Sequence, residues 1–195
     1  MGSSRCIGVL ALQGDFAKHV AILHQIGVTA KEVRTPHDLF HCDGLIIPGG
    51  ESTSMNRQID FIHMREPLIA FANQKPVFGT CAGLILMAQE VEQSSMPTLG
   101  LLHIVVERNA YGRQIDSFES TIPLIIQGKE TAFPAIFIRA PRIIKMGEEV
   151  EVLATLDEEP VFIRQKQYLG TTFHPELTTD SQIHQYFVQM IRDSL

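Results

Sequence analysis

The chain has 195 residues, of which 45% are hydrophobic and 19% are charged. This composition excludes an intrinsically disordered protein and predicts a single domain, residues 1–195, with a substantial core. The formal net charge of −6 disfavours a nucleic-acid-binding protein, which would carry a basic stripe, and no apolar run approaches the roughly 18 residues of a membrane span.

The first half of the chain alternates short β-branched runs with segments of helical period. Such alternation predicts a parallel sheet with helices on both of its faces. Asp15 is a candidate N-cap for the first helix. We expect strands at 6–12, 28–34, 43–47 and 75–80, and helices from Asp15 to 26, over 52–73 and over 82–91.

The second half is a succession of short strands separated by turn signals such as Gln127-Gly128-Lys129. Their alternation is typical of antiparallel pairing. The whole pattern predicts an α/β fold in three layers: an open, mixed, mainly parallel sheet flanked by helices, with an antiparallel extension in the second half. We expect strands near 101–107, 115–125, 134–139, 150–155, 160–165 and 168–173, and a last helix over 179–193.

The run GTCAG at 79–83 lies between a predicted strand and a predicted helix. A nucleophile between glycines at such a junction is typical of a nucleophile elbow, which raises the side chain of Cys81 above the sheet. A helix N-terminus stabilises a thiolate, and the N–H of Ala82 is free to donate to an oxyanion. The alternative is a buried structural cysteine. Cys6 and Cys42 add no paired spacing, which excludes a disulfide framework and favours the reducing cytoplasm.

The run HPE at 174–176 supplies a candidate base for the thiol. A carboxylate two residues after a histidine can reach back to Nδ1, fix the tautomer and stabilise the imidazolium. The sequence therefore predicts a triad of Cys81, His174 and Glu176. Taken alone, the same run is also typical of a surface loop.

The run PGGES at 48–52 follows the predicted strand 43–47. Sites in open α/β sheets form outside the carboxyl ends of the strands, so this loop and Cys81 can face each other. Its glycine pair offers a backbone N–H as a second oxyanion donor. A plain turn in which Ser52 caps the next helix is the alternative, and the two interpretations are compatible.

The other polar features are weaker candidates. The stretch 108–119 is a substrate or partner loop, or else a solvated hairpin. Arg139 ends an apolar strand, where a site or a buried ion pair would account for its charge. No cluster has metal-ligand spacing, so we expect no metal. The remaining histidines are expected to be ordinary surface or half-buried residues: His19, His24, His37, His41, His63, His103 and His184.

With these motifs the chain resembles the class I glutamine amidotransferases, and within them the glutaminase subunits of pyridoxal 5′-phosphate synthase. Many members of the class carry CxGxQ, whereas this chain has Ile85 in place of the glutamine, a departure that matches the vitamin B6 branch. The resemblance implies the class I glutamine amidotransferase-like, flavodoxin-like fold. The matching runs extend over nearly the whole chain and are IGVLALQGDF, CDGLIIPGGEST, GTCAGLILMA, VVERNAYGRQIDSFE, FIRAP and LGTTFHPEL.

The resemblance also implies a reaction and a partner. Cys81 attacks the side-chain amide of L-glutamine to form a glutamyl thioester, His174 transfers protons and Glu176 orients His174. The ammonia passes to a (β/α)₈-barrel synthase subunit for pyridoxal 5′-phosphate biosynthesis, and docking of that subunit completes the oxyanion hole. No cofactor is implied. The implied oxyanion donors are the backbone N–H groups of Gly50 and Ala82, and the implied glutamine-binding residues are Gly50, Glu51, Ser52, Arg108, Ile138 and Arg139.

Three other interpretations stay open. A glutaminase for another biosynthetic pathway would share the chemistry but differ in the acceptor, and the runs after residue 105 argue against it. A catalytically silent regulatory subunit would not need the complete triad. Another cysteine hydrolase on a related fold would act on peptides or esters without a partner. Under the favoured interpretation, Gln13, Gly14 and the loop 49–50 are candidates for coupling to the partner.

Overall fold

The structure, a computed structural model, describes residues 5–108 and 117–194. Within those ranges the helices are α1 (Phe16–Gln25), α2 (Ser52–Phe61), α3 (Arg65–Ala72), α4 (Ala82–Met87) and α5 (Gln182–Asp193), with 3-10 helices at Pro36–His41 and Pro175–Leu177. The strands are β1 (Cys6–Leu10), β2 (Thr29–Val33), β3 (Gly44–Ile47), β4 (Val77–Thr80), β5 (Ala88–Val91), β6 (Leu102–Glu107), β7 (Ser117–Ile126), β8 (Lys129–Ile138), β9 (Arg142–Met146), β10 (Glu151–Leu156), β11 (Glu159–Gln165) and β12 (Tyr168–Thr171).

The central sheet has seven strands in the order β10-β11-β12-β4-β3-β1-β2. The neighbours from β12 to β2 pair in parallel, whereas β11 and β10 continue the sheet in antiparallel. Strands β3, β4 and β12 are buried along their whole length, as expected of parallel strands covered on both faces. The predicted α/β fold, with a mainly parallel sheet and an antiparallel extension, is confirmed.

The two faces of the sheet carry separate cores. Val77 of β4 packs in a cluster with apolar residues of α2, α3 and α4. The next residue, Phe78, points to the other face and packs with apolar residues of α1 and α5. This alternation, which follows from the two-residue period of a strand, confirms the three-layer arrangement.

The hairpin β7–β8 covers part of the second face. The rings of Phe133 and Phe137 lie 5.8 and 5.4 Å from the ring of Phe173, just after β12. Its turn is at Gln127 and Gly128, which have positive φ angles of 51° and 74°, as a tight hairpin turn requires. The hairpin brings the end of β8 to the carboxyl edge of the central sheet.

Two strands in this region differ from the prediction. Strand β8 begins at Lys129 rather than near 134, because Pro134 lies within a two-stranded ladder, where a missing N–H is tolerated. Strand β9 (Arg142–Met146) was not predicted; it pairs with β6 in a small sheet of three strands. The predicted strand 115–125 corresponds to β7, except that residues 115–116 lie outside the described ranges.

The predicted helix over 52–73 is wrong, because it consists of two helices. The chain breaks at His63, whose φ of 54° is incompatible with a right-handed helix. The predicted helix over 82–91 is also too long. It ends at Met87, and β5 follows, since the uniformly apolar run of α4 contains no period that marks where a buried helix stops.

The sheet register brings three loops to one edge. Ile47 pairs with Gly79, and Thr80 pairs with Thr171, so β3, β4 and β12 end side by side. The glycine loop after β3, Cys81 after β4 and His174 after β12 leave the sheet at this edge. The site predicted from separate parts of the sequence therefore has a common location.

Candidate active site

Cys81 occupies a strained turn between β4 and α4. Its φ and ψ are 47° and −104°, a conformation that non-glycine residues rarely adopt and that persists only where the surroundings enforce it. The backbone N–H of Cys81 donates to the carbonyl oxygen of Thr171 at 2.9 Å. The thiol is largely buried and lies 3.7 Å from the carbonyl oxygen of Ile138.

The glycines on either side of Cys81 are needed for close packing. A Cβ built on Gly83 would lie 1.9 Å from the carbonyl oxygen of Ile47, and one on Gly79 would lie 2.7 Å from the carbonyl carbon of Gly83. Neither contact leaves room for a side chain. The strain of the turn falls on Cys81 itself, whereas the glycines allow α4 to pack directly against β3 and β4.

His174 and Glu176 form a buried pair immediately after the central sheet. The backbone N–H of His174 donates to the carbonyl oxygen of Ile136 at 2.8 Å, which ties it to β8. Pro175 begins the short 3-10 helix that turns Glu176 back toward the imidazole. The distance from His174 Nδ1 to Glu176 Oε1 is 2.7 Å, so the carboxylate accepts the Nδ1 proton and leaves Nε2 facing the cavity.

The electrostatic environment favours an ionised pair. Burial acts to lower the pKa of His174, but hydrogen bonds with Cys81 and Glu176 outweigh it and raise that pKa to about 10. Burial acts to raise the pKa of Glu176, but the nearby His19 and the hydrogen bond from His174 lower it. The imidazole is therefore held in its protonated form beside the thiol, and the carboxylate is held ionised behind it.

The loop after β3 packs against both His174 and the loop before α1. A Cβ on Gly49 would lie 2.3 Å from His174 Cε1, and one on Gly14 would lie 1.8 Å from the carbonyl oxygen of Gly49. The side chain of Gln13 donates to the carbonyl oxygen of Glu51 at 2.8 Å. The position of the glycine loop thus depends on contacts from β12 and from the start of α1.

The cap of α2 differs from the prediction. Glu51, not Ser52, is the N-cap, and its two carboxylate oxygens accept from the N–H groups of Thr53 and Ser54 at 3.0 and 2.7 Å. Ser52 is the first residue of the helix and is buried. Asp15 precedes α1, but its side chain makes no cap hydrogen bond.

These loops enclose a cavity of about 410 Å³, a size typical of sites for small ligands. A larger cavity of about 970 Å³ lies between α5 and the hairpin β7–β8, but neither Cys81 nor His174 borders it. Glu176 lies behind His174, outside the lining. The cavity holding the predicted site is lined by Gly14, Asp15, Gly49, Gly50, Glu51, Ser52, Cys81, Ala82, Ile85, Arg108, Ile138, Arg139 and His174.

The implied glutamine-binding residues all border this cavity. Arg108 is half-buried and donates to the Thr53 hydroxyl at 3.0 Å. Ile138 ends β8, and Arg139 follows it with a φ of 42°. Arg139 is exposed, so its charge is not explained by a buried ion pair. Of the polar stretch 108–119, residues 109–116 lie outside the described ranges.

Sequence reasoning assigned two histidines wrongly. His19 and His184 were expected at or near the surface, yet both side chains are fully buried. The signal was present in the helical period, since His19 lies three residues after Phe16 and four before Leu23, on the apolar face of α1. Gly14, Asp15 and Ile85 line the cavity without having been predicted to bind glutamine.

The residues that the structure describes include neither a membrane-spanning helix nor a metal-binding cluster. None of their helices has the length and apolar character needed to cross a membrane. Nor do they contain a group of three or more His, Cys, Asp or Glu side chains arranged to hold a metal ion.

An open α/β sheet with this cavity at its carboxyl edge is the architecture of the glutamine amidotransferases. A crystal structure of a glutamine amidotransferase matches with a TM-score of 0.89 and 42% identity, covering 95% of this chain and 98% of that one. The model of the SNO glutamine amidotransferase family matches residues 9–193. The chain therefore belongs to the SNO glutamine amidotransferase family.

Named relatives agree over the full length of the fold. Pyridoxal 5′-phosphate synthase subunit PdxT of Thermotoga sp. (strain RQ2) is 50% identical over 187 residues, which cover 95% of this chain and 99% of the relative. The protein of the same name from Geobacillus thermodenitrificans (strain NG80-2) is 49% identical over 189 residues, covering 96% of each. The chain is thus similar to these subunits from end to end.

Proposed function

We propose that the chain is the glutaminase subunit of a pyridoxal 5′-phosphate synthase and that Cys81, His174 and Glu176 perform its chemistry. One observation carries the assignment of the residues: a buried His174–Glu176 pair, 2.7 Å apart, borders the same cavity as a strained, glycine-flanked cysteine. The identity to named relatives supports the pathway. The activity is hydrolysis of L-glutamine to L-glutamate and ammonia.

In the first half of the reaction, His174 holds the proton that it has taken from the thiol, and the thiolate of Cys81 attacks the amide carbon of the glutamine side chain. The carbonyl π electrons move to oxygen, which gives a tetrahedral oxyanion. As the carbon–nitrogen bond breaks, His174 returns the proton to the leaving nitrogen and ammonia departs. A γ-glutamyl thioester on Cys81 remains.

In the second half, water attacks the thioester while His174 removes one of its protons. The second tetrahedral intermediate collapses, the carbon–sulfur bond breaks and the proton stays on His174. Glutamate leaves and the starting pair of Cys81 and His174 is restored. Glu176 stabilises the imidazolium in both halves and itself keeps its charge.

The oxyanion and the substrate are bound by loops around the same cavity. The N–H groups of Gly50 and Ala82 are the proposed oxyanion donors; Ala82 begins α4, where backbone N–H groups have no preceding turn to bond. Arg108 and Arg139 provide positive charge for the α-carboxylate of glutamine. Glu51, Ser52 and Ile138 complete the pocket.

The proposed partner is a (β/α)₈-barrel synthase subunit that receives the ammonia, with neither nucleic acid nor membrane involved. Gln13 contacts Glu51, and Gly14 contacts Gly49. These contacts link the loop before α1 to the glycine loop after β3, and so offer a route by which the partner can act on the proposed oxyanion donor there. We infer one functional domain over 1–195, since the central sheet combines strands from both ends of the chain. The three free thiols favour the cytoplasm.

The test is glutamate release from glutamine by the wild-type chain and by Cys81→Ala, each with and without a barrel subunit. We expect low activity alone, a clear rise with the barrel subunit, and loss of both activities in Cys81→Ala. Cys42→Ala is the matched control, because that thiol is buried away from the cavity, and it should keep the activity.

Two results would overturn parts of the proposal. High activity that ignores the barrel subunit would retain the glutaminase and overturn the assignment to this synthase. Activity that survives in Cys81→Ala would overturn the triad.

A further inference from the structure

Two histidines are buried together behind the proposed triad. His19 comes from α1 and His184 from α5, and neither side chain is exposed. His19 Nδ1 lies 2.9 Å from His184 Nε2, which is a hydrogen bond between the two rings. Buried imidazoles cost free energy unless their nitrogens are paired, and the bond between the two rings offsets part of that cost.

The histidine pair lies next to Oε2 of Glu176, the carboxylate oxygen that faces away from His174. The inner oxygen, Oε1, is occupied by His174 Nδ1 at 2.7 Å. Oε2 is fully buried and makes no hydrogen bond of normal geometry with the described residues, but His19 Nε2 lies 3.4 Å from it. The Thr80 hydroxyl, next to Cys81, lies at the same distance from His19 Nε2. His19 is therefore poised between the carboxylate and the end of β4.

The charges around His19 decide its protonation. Burial lowers the pKa of His19, and it lowers the pKa of His184 to about 3, so both rings are neutral near pH 7. Glu176 and Asp15 oppose this shift in His19, whereas His174 reinforces it. A neutral imidazole has a single N–H group, so one ring donates to the other.

The direction of that hydrogen bond follows from Glu176. If His19 carried its proton on Nδ1, the lone pair of Nε2 would face the carboxylate. The favourable tautomer has the N–H of His19 on Nε2, directed at Oε2, and His184 donating from its own Nε2. His184 Nδ1 is then a bare acceptor, which agrees with its lack of a hydrogen-bond partner among the described residues. An unpaired acceptor is less costly than an unpaired donor.

We propose that His19 is a positioning residue for the glutaminase reaction: it holds Glu176 through Oε2, and His184 fixes the tautomer of His19. Glu176 can then present only Oε1 to His174, which keeps His174 Nε2 directed at Cys81. The inference rests on the proposed roles of Cys81, His174 and Glu176. It extends the triad by two residues that touch neither the substrate nor the reacting atoms.

The test compares His19→Leu with His19→Gln, assayed with the barrel subunit present. The glutamine amide can supply an N–H where His19 Nε2 does, whereas leucine cannot. We expect His19→Leu to lower kcat by roughly 10-fold to 100-fold, by analogy with the cost of losing a group that orients a metal ligand. KM should change less than about twofold, because His19 does not border the cavity. His19→Gln should recover most of kcat.

The pH profile separates positioning from general packing. Without the donor at Oε2, the pKa of Glu176 rises, so the acidic limb of kcat should move to higher pH in His19→Leu and stay in place in His19→Gln. His24→Leu, on the exposed side of α1, should leave both kcat and the limb unchanged. If His19→Leu does not fold, His184→Phe and His184→Gln provide the same comparison for the hydrogen bond between His184 and His19.

The outcomes are distinct from those of the proposed function. Wild-type kcat and an unmoved acidic limb in His19→Leu, together with an inactive Cys81→Ala, would overturn this inference and leave the triad in place. A loss of kcat in both His19→Leu and His19→Gln without any shift of the limb would also overturn it, since packing alone would then account for the loss. Activity in Cys81→Ala would instead overturn the proposed triad.

Discussion

The α-carbon of Gly14 lies directly against the carbonyl group of Gly49: a Cβ at Gly14 would be 1.8 Å from the Gly49 oxygen. The two residues are far apart in sequence and belong to different loops. Their contact sets how closely the loop before α1 approaches the proposed oxyanion donor, Gly50.

Gly14→Ala should displace the loop at 49–50 and lower kcat, on the order of 100-fold if the Gly50 N–H is lost as an oxyanion donor. Glutamate release with the barrel subunit measures the effect. Gly27→Ala is the matched control, because Gly27 also has a positive φ, of 76°, but has nothing within 4 Å of its would-be Cβ. Gly27→Ala therefore adds the same backbone strain without a steric clash, and we expect it to keep the activity. A fully active Gly14→Ala would contradict the role of this contact.

The strain at Cys81 predicts an unusual order of stability. Elsewhere glycine is less stable than alanine by roughly 0.5–1 kcal/mol, but at φ 47° and ψ −104° a Cβ costs about 1–3 kcal/mol. We therefore expect Cys81→Gly to be about 1 kcal/mol more stable than Cys81→Ala in urea unfolding. Ala82→Gly, one residue further on and inside α4, should show the normal order. Equal or reversed stabilities of the two Cys81 variants would mean that the turn is unstrained.

The pKa of His174 predicts how stability depends on pH. This pKa is raised from 6.5 to about 10 in the folded protein, so the stabilisation by the protonated imidazole is complete below about pH 6.5. It is lost as the pH rises through about 10. His174→Gln should therefore be less stable than wild type at pH 6, by about 1 kcal/mol or more, and the gap should close toward pH 10. Urea unfolding across this range measures it, with His24→Gln as the control; a gap that does not change with pH would contradict the prediction.

Asp38 stabilises the start of the 3-10 helix at Pro36–His41. Its Oδ2 accepts from the N–H and hydroxyl groups of Thr35, both at 2.9 Å, and Lys31 Nζ lies 2.9 Å from Oδ1. The hydrogen bond from Lys31, followed by those from the backbone and Thr35, holds the pKa of Asp38 well below its usual 3.8. This stabilisation is present above the usual pKa and is lost as the pH falls through the lower folded value.

Asp38→Asn should accordingly cost about 1 kcal/mol at pH 7, as for the loss of a helix cap, and less at pH 3. Chemical unfolding at the two pH values gives the comparison. Asp157→Asn is the control, since Asp157 sits in a turn at φ 49°, which asparagine tolerates equally well. A difference that is the same at both pH values would show that the charge of Asp38 contributes nothing.

The sequence was sufficient to predict those parts of the fold and the site whose structural requirements are local. The glycines around Cys81, the buried strand before it and the proline between His174 and Glu176 each act within a few residues. The alternation of strands and helices is also a local pattern, so the sequence predicted both the parallel sheet and the order of its elements. The motifs after each strand could be assigned to one edge because the carboxyl ends of parallel strands always share an edge.

The errors lie where distant residues decide the local structure. The end of α4 at Met87 is set by packing, since a continuous apolar run has no period to mark a boundary. Strand β9 exists because β6 provides its hydrogen-bonding partner. Glu51 is the cap instead of Ser52, because α2 begins at Ser52 and Glu51 is the residue that precedes its first turn.

The sequence by itself determined the fold class, the family and the candidate residues of the triad, because each rests on short runs with their own backbone and chemical requirements. Only the tertiary structure decided that the implied glutamine-binding residues share one cavity and that His19 and His184 meet behind Glu176. These two histidines are separated by 165 positions. Their contact exists because α1 and α5 pack on the same face of the sheet, and helical period indicates which side of a helix is buried without indicating what it will touch.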